Sequence, residues 1–172
     1  MSLNILLGEL FSFIAAFFLA LSTFKTKKNK MLIFQLADSI FNAISNLFLN
    51  SFSGFVVNIF TSIRNYLSIK EKFNKIELFF YVILILIIGI KVNNKGIVGI
   101  LPIIASIEYS LFMHKSKSPQ IMRFALLINL SLWLIYDFFI KSYPMFIMDL
   151  VIIFITIINI IRFHKQEKVS IY

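Results

Sequence analysis

The stretch that decides the fold is NLSLWLIYDFFIKSYPMFIMD, residues 129–149. It carries the only tryptophan, Trp133, two of the eight acids, Asp137 and Asp149, and one of the three prolines, Pro144, among side chains that are otherwise almost all hydrocarbon. Polar groups embedded in such a run are costly unless they face protein, water or a ligand. The apolar run that contains it, residues 120–163, is about twice as long as one crossing of a bilayer, which takes roughly 17–25 apolar residues. It must therefore turn back on itself, and Lys141, Ser142 and Tyr143 mark the place.

The same logic extends outward in both directions. Hydrophobic residues make up 59% of the 172, well above the 45–50% or so of soluble domains. Seven apolar spans are expected, at 3–24, 31–50, 52–69, 73–92, 96–113, 120–140 and 144–163. The second and third nearly touch at Asn50 and Ser51, forcing a second tight turn like that at Lys141. No stretch remains for a soluble domain. The start, MSLN, lacks a basic n-region and a cleavage site, so the first span reads as a retained helix. The fold class is an all-α integral membrane protein of seven transmembrane helices, arranged as two parallel three-helix bundles joined by a linker helix.

The net charge of +9 does not point to nucleic acid, because the lysines sit in short clusters between apolar runs. Four follow the first span (Lys25, Lys27, Lys28, Lys30) and three the third (Lys70, Lys72, Lys75). Lys115, Lys117 and Arg123 follow the fifth, and Arg162, Lys165 and Lys168 the seventh. Only Lys91, Lys95 and Lys141 fall on the other side, and Arg64 lies inside a span. Such a bias places the N-terminus outside and the C-terminus in the cytoplasm of a bacterial inner membrane.

The chain also repeats. Shifted by 90, Ile14, Ala15, Leu21, Lys25 and Lys27 fall on Ile104, Ala105, Leu111, Lys115 and Lys117. Shifted by 91, Leu36, Ile44, Phe48 and Ser51 fall on Leu127, Ile135, Phe139 and Ser142. The division is then residues 1–70, a first triple-helix bundle; 71–95, a linker helix; and 96–172, a second bundle with a short tail. Two units of three helices in one orientation are related by an axis along the membrane normal.

Polar residues follow the repeat. Asp38, Asn42 and Asn46 are spaced i, i+4, i+8 and form one stripe; Asn129, Trp133 and Asp137 form the equivalent stripe, and Asn58 pairs with Asp149. Membrane asparagines often serve only to hold helices together. A duplicated stripe with acids and a tryptophan reads instead as the lining of a substrate site: Asn42, Asn46, Asn58, Trp133, Asp137 and Asp149. Asp149 lies about 9 Å into its helix, beyond easy reach of solvent. In the other half, Arg64 and Glu108 sit at similar depth and are expected to pair, with Asp38 as a second partner; these residues are the candidate gate. Pro102 removes a backbone donor and is expected to kink the fifth helix beside Gly96 and Gly99.

Other chemistry is missing. Cysteine is absent, which excludes disulfides and thiolate metal sites. No HExxH, GxSxG or glycine-rich phosphate loop occurs. His114 and His164 fall at helix ends, and the last span has no lysine to anchor a retinal. No enzyme activity, cofactor or metal is expected. The partners expected are the lipid bilayer, a small-molecule solute and a second copy of the chain in a homo-oligomer. The rival reading is a non-transporting assembly factor or partner subunit.

Over about residues 1–168 the chain resembles the YgjV family of bacterial inner-membrane proteins. The resemblance rests on Thr61 to Arg64 closing the third span, Leu101 and Pro102, Trp133, and the run from Asp149 to Asn159, Arg162 and Phe163. There the family likewise places an acid thirteen residues before the arginine. Where the family often has His-Asn shortly after the tryptophan, this chain has Tyr136 and Asp137. The resemblance implies an inner-membrane location and no particular substrate. More distantly, the 3+1+3 plan is similar to that of SWEET and PQ-loop transporters, and implies a pathway for sugars or amino acids between two bundles. Polar residues of their third and seventh helices meet the solute, as Asn58 and Asp149 would. Their Pro-Gln signature is missing: no Gln follows Pro102, Ser12 stands at its repeat mate, and Pro119-Gln120 opens the sixth span.

Overall fold

The computed structural model describes residues 3–116, 118–140 and 142–169. The expectations placed on Lys117 and Lys141 lie outside these, as do those on the side chains of Pro144, His164, Lys165 and Lys168. Among the described residues all regular structure is helical. Helices α1 (Leu3–Thr23), α2 (Lys28–Phe48) and α3 (Phe52–Ile69) precede α4 (Lys75–Lys91). A 3₁₀ turn (Gly96–Ile100) leads into α5 (Leu101–Lys115), α6 (Pro119–Phe139) and α7 (Tyr143–Val169).

Five of the seven helices are long and apolar enough to cross a membrane by length and composition. The other two are α3, with 18 residues, and α4, with 17. Helix α3 devotes Asn58, Thr61, Ser62, Arg64 and Asn65 to the interior, which lowers its apolar content. At 1.5 Å per residue α4 spans only about 26 Å, the short end of what a bilayer core of about 30 Å accepts. Its start is fixed by a capping box: Asn74 Oδ1 accepts from the Ile76 amide at 2.7 Å, and Glu77 Oε2 accepts from the Asn74 amide at 3.2 Å.

Six helices close into a ring in the order α1, α2, α3, α5, α6, α7 and back to α1, while α4 packs outside the α3–α5 seam. The middle helix of each unit, α2 or α6, lies between its two neighbours. The third helix of each unit meets the first helix of the other, α3 on α5 and α7 on α1, which is the pattern a two-fold axis produces.

The connections repeat at the level of single hydrogen bonds. Between α2 and α3, the Leu49 amide donates to Ser45 O (3.0 Å), Ser51 to Asn46 O (2.9 Å) and Phe55 to Ser51 O (2.9 Å). Between α6 and α7, 91 residues on, Ile140 donates to Tyr136 O (3.0 Å), Ser142 to Asp137 O (2.9 Å) and Phe146 to Ser142 O (3.0 Å). The α2 and α6 starts match as well, Met31 on Lys27 O (3.0 Å) and Met122 on Ser118 O (3.2 Å). Asn50 takes a left-handed φ of 54° to make the first turn, a role that asparagine fills more readily than other non-glycine residues.

The packing is inverted relative to a soluble protein. Phe13, Phe17, Ile33, Phe79, Ile87 and Phe154 face outward, while Ser39, Asn65, Ser106, Asn159, Arg123 and Asp137 are buried. Only a lipid solvent makes this arrangement favourable, since the backbone bonds are closed within helices and the polar side chains turn away from hydrocarbon into the ring.

Candidate functional site

The ring encloses a central polar cavity of about 70 Å³. Six helices contribute: α1 through Leu19, α2 through Gln35, Asp38 and Asn42, and α3 through Asn58, Thr61, Arg64 and Asn65. Helix α5 adds Ser106 and Tyr109, α6 adds Leu126, Asn129, Leu130, Trp133 and Asp137, and α7 adds Met145 and Asp149. A side chamber of about 20 Å³ continues from Asp38, Asn42 and Asp149 to Ser12 on α1. Asp38 lies ten residues into the 21-residue α2, so the cavity sits near mid-bilayer. Towards the basic end it rests on a packed apolar floor that includes Met31, Leu32, Met113, Met122 and Ile152.

Of the residues expected at a substrate site, the structure brings together Asn42, Asn58, Trp133, Asp137 and Asp149, with Asp38 and Arg64 from the expected gate. The helical spacing explains this: each polar stripe turns to the ring's axis, and the alternative is hydrocarbon. Asp137, from α6, and Asp149, from α7, both line the cavity. Asp38 and Asp149 line both the cavity and its side chamber.

Three expectations fail. Asn46 does not line the cavity. Its amide donates to Asn42 O at 2.8 Å and its side chain fills the space beside Gly54, so it packs the α2–α3 turn. Pro102 lies in the first turn of α5, where a backbone N–H has no helical partner anyway, so it starts the helix instead of kinking it. Arg64 and Glu108 form no hydrogen-bonded pair. Glu108 lines a separate groove with Ile104, Ile107, Phe112 and Lys115, and both its oxygens are buried with no hydrogen-bond partner among the described residues.

Arg64 is held otherwise. Its Nη1 donates to Ser110 Oγ at 2.9 Å and Ser106 O at 3.3 Å, and Nε and Nη2 donate to Asn65 Oδ1 at 3.2 and 3.0 Å. The guanidinium carbon lies 5.0 Å from the Tyr109 ring centre and 5.8 Å from that of Tyr81. A planar cation stacked on aromatic faces and tied to neutral acceptors is the arrangement in which arginine tolerates burial.

Gln35, Thr61, Asn65, Ser106 and Tyr109 were not singled out from the sequence. Tyr109 donates to Gln35 Oε1 at 2.8 Å, joining α5 to α2 across the axis. Thr61 and Ser106 hydroxyls meet at 3.0 Å, and Tyr81 hydrogen-bonds the same serine. Asn129 donates to Ala105 O at 2.9 Å. The signal was available: Gln35 precedes Asp38 by three residues, and Thr61 and Asn65 follow Asn58 by three and seven. Small hydroxyls and a tyrosine are common in any membrane helix, so the spacing alone did not raise them above the background.

The lining has a chemical imbalance. Among the described residues, Asp137 Oδ1 and Oδ2, Asp149 Oδ2 and Asn42 Oδ1 have no hydrogen-bond partner, while the lone donors left over in the lining are Gln35 Nε2 and Asn65 Nδ2. Asp137 and Asp149 are 1% and 8% exposed, so bulk water does not serve them. No grouping of three or more acid or histidine side chains suited to a metal ion forms among the described residues.

No curated protein and no solved structure matches the chain. The family model for Imp-YgjV bacterial inner membrane proteins matches residues 6–167, nearly the whole length. A ring of apolar-faced helices around a polar centre is what such a protein requires, and the chain belongs to the Imp-YgjV family of bacterial inner membrane proteins.

Proposed function

We propose that this multi-pass inner-membrane protein is a small-solute transporter, not an enzyme, and that the central cavity is its solute site. The supporting observation is the lining of Asp38, Asn42, Asn58, Trp133, Asp137 and Asp149, in which the three acids and Asn58 are buried and several polar atoms have no partner among the described residues. Residues that only held helices together would satisfy one another, as Asn159 Nδ2 and Thr23 Oγ1 do at 2.9 Å. The two three-helix units then rock about the cavity, opening it alternately to each side. All seven helices cross the membrane, with the lysine-rich end in the cytoplasm. The Asp149 carboxyl is where a proton or cation gradient would couple to movement.

The test is uptake into proteoliposomes of a panel of labelled polyols, sugars and amines under an imposed pH gradient. At least one class enters faster than into protein-free vesicles, and Asp149→Asn abolishes the gradient-driven part while the protein remains folded. Uptake of every solute at the protein-free rate would refute the transporter reading.

A further inference from the structure

We propose that the central cavity binds a small protonated amine: a compact organic cation with several N–H donors. The inference rests on reading the cavity as a solute site and assigns that solute's chemical class.

Polarity comes first. Three carboxyl groups from three helices, Asp38, Asp137 and Asp149, converge on the cavity against one guanidinium, that of Arg64. Arg64 is not available to neutralise them, because its donors go to Asn65, Ser106 and Ser110 and its face lies on Tyr109. The unpartnered acceptors of Asp137, Asp149 and Asn42 outnumber the unpartnered donors. A buried acceptor without a donor costs about 1–3 kcal/mol, more when charged. An ammonium group supplies three donors and the compensating charge together, which a polyol does not.

Size comes second. A room of about 70 Å³ takes a few water-sized groups. Sites for larger ligands run to about 300–1,000 Å³, so a hexose does not fit this conformation. The wall suits an organic cation as well. Trp133, Leu130 and Met145 line the cavity beside the acids, giving an aromatic face and an apolar surface for a short alkyl group. A bare alkali ion would leave those surfaces unused.

Trp133 is the only tryptophan and lines the cavity, so its fluorescence reports on the site. The experiment titrates the full-length protein in nanodiscs with methylammonium chloride, with sodium chloride and ethylene glycol as controls. Methylammonium gives a saturable change in Trp133 emission and the controls give none. Asp149→Asn and Asp137→Asn each weaken the methylammonium response about tenfold or more, and Glu108→Gln leaves it unchanged. Should either acid variant fail to fold, Asp38→Asn replaces it. An equal response to sodium, a response to ethylene glycol alone, or no response in folded protein overturns the proposal; the last means that protons, not an amine, neutralise the acids. Polyol uptake into proteoliposomes without an amine response would sink this inference and spare the transporter reading. An amine response without uptake of any solute would do the reverse.

Discussion

Arg123 Nη2 lies 2.7 Å from the carbonyl oxygen of Lys25, and its Nε lies 3.0 Å from that of Thr23. A buried cation from α6 thus caps the C-terminal carbonyls of α1, in the other three-helix unit. The second seam has a counterpart: Lys28 Nζ, from α2, donates to Met113 O at 2.7 Å and Ser116 O at 3.2 Å at the end of α5. Helix ends leave carbonyls unsatisfied and carry partial negative charge, so cations there are favoured twice over.

Arg123 is 1% exposed, is braced by Gln120 Oε1 at 2.9 Å, and lies 4.3 Å from the Phe163 ring centre. Arg123→Ala is expected to destabilise the protein by about 2–4 kcal/mol through lost charged hydrogen bonds and a cavity. Arg123→Lys should recover only part, because an ammonium lacks the planar guanidinium that lies against Phe163 while its nitrogens reach Thr23, Lys25 and Gln120. Thermal unfolding in detergent reads both, and wild-type stability in Arg123→Ala would show that the cap carries no energy.

Tyr109→Phe removes the one hydroxyl that joins α5 to Gln35 on α2. Gln35 Oε1 then joins Gln35 Nε2 as a buried atom without a partner. The expected loss is about 1–2 kcal/mol of stability, read by the same melts. An unchanged melting temperature would mean that water replaces the hydroxyl.

Gly54→Ala tests the role given to Asn46. A methyl group at Gly54 would run into the Asn46 side chain and the Ser51 hydroxyl, both part of the α2–α3 turn. Loss of about 1–3 kcal/mol is expected from this overpacking. Gly8→Ala is crowded by the Leu49 side chain, with Phe48 Cβ at an ordinary 3.4 Å, and should cost less because the leucine rotates away. Equal effects at the two glycines would remove the special role of the turn.

Glu71 holds a φ of 58° just beyond α3, a conformation that costs a residue with a Cβ roughly 1 kcal/mol. Glu71→Gly is therefore expected to raise stability by about that amount, with no effect on the Trp133 response. A lower melting temperature would show that the Glu71 side chain contributes more than the backbone strain takes away.

Much of this was legible along the chain because a bilayer imposes simple rules. The 17–25-residue period of apolar runs located all seven helices to within a few residues, and the repeat at 91 was visible in Ser51 and Ser142 before their hydrogen bonds were known. Asn42, Asn58, Trp133, Asp137 and Asp149, expected at a substrate site, and Asp38, expected at a gate, were legible as inward-facing because a polar stripe in hydrocarbon has few places to turn, and they line the cavity.

What the sequence left open depended on direction and distance. Periodicity gives the face of a helix but not its neighbour, so it placed Arg64 and Glu108 at one depth without showing that they line different cavities. It read Arg123 as one more loop cation, whereas the approach of α6 to the end of α1 buries it on carbonyls. It saw Asn46 on the same stripe as Asn42, although the turn at Gly54 claims that side chain. The sequence by itself determined that the chain lives in a membrane, how many helices it makes and which of their faces are polar, because these follow from local composition and from the cost of exposing polar groups to lipid. Only the tertiary structure decided which polar groups satisfy one another and which are left facing a cavity, because that depends on how the ring closes.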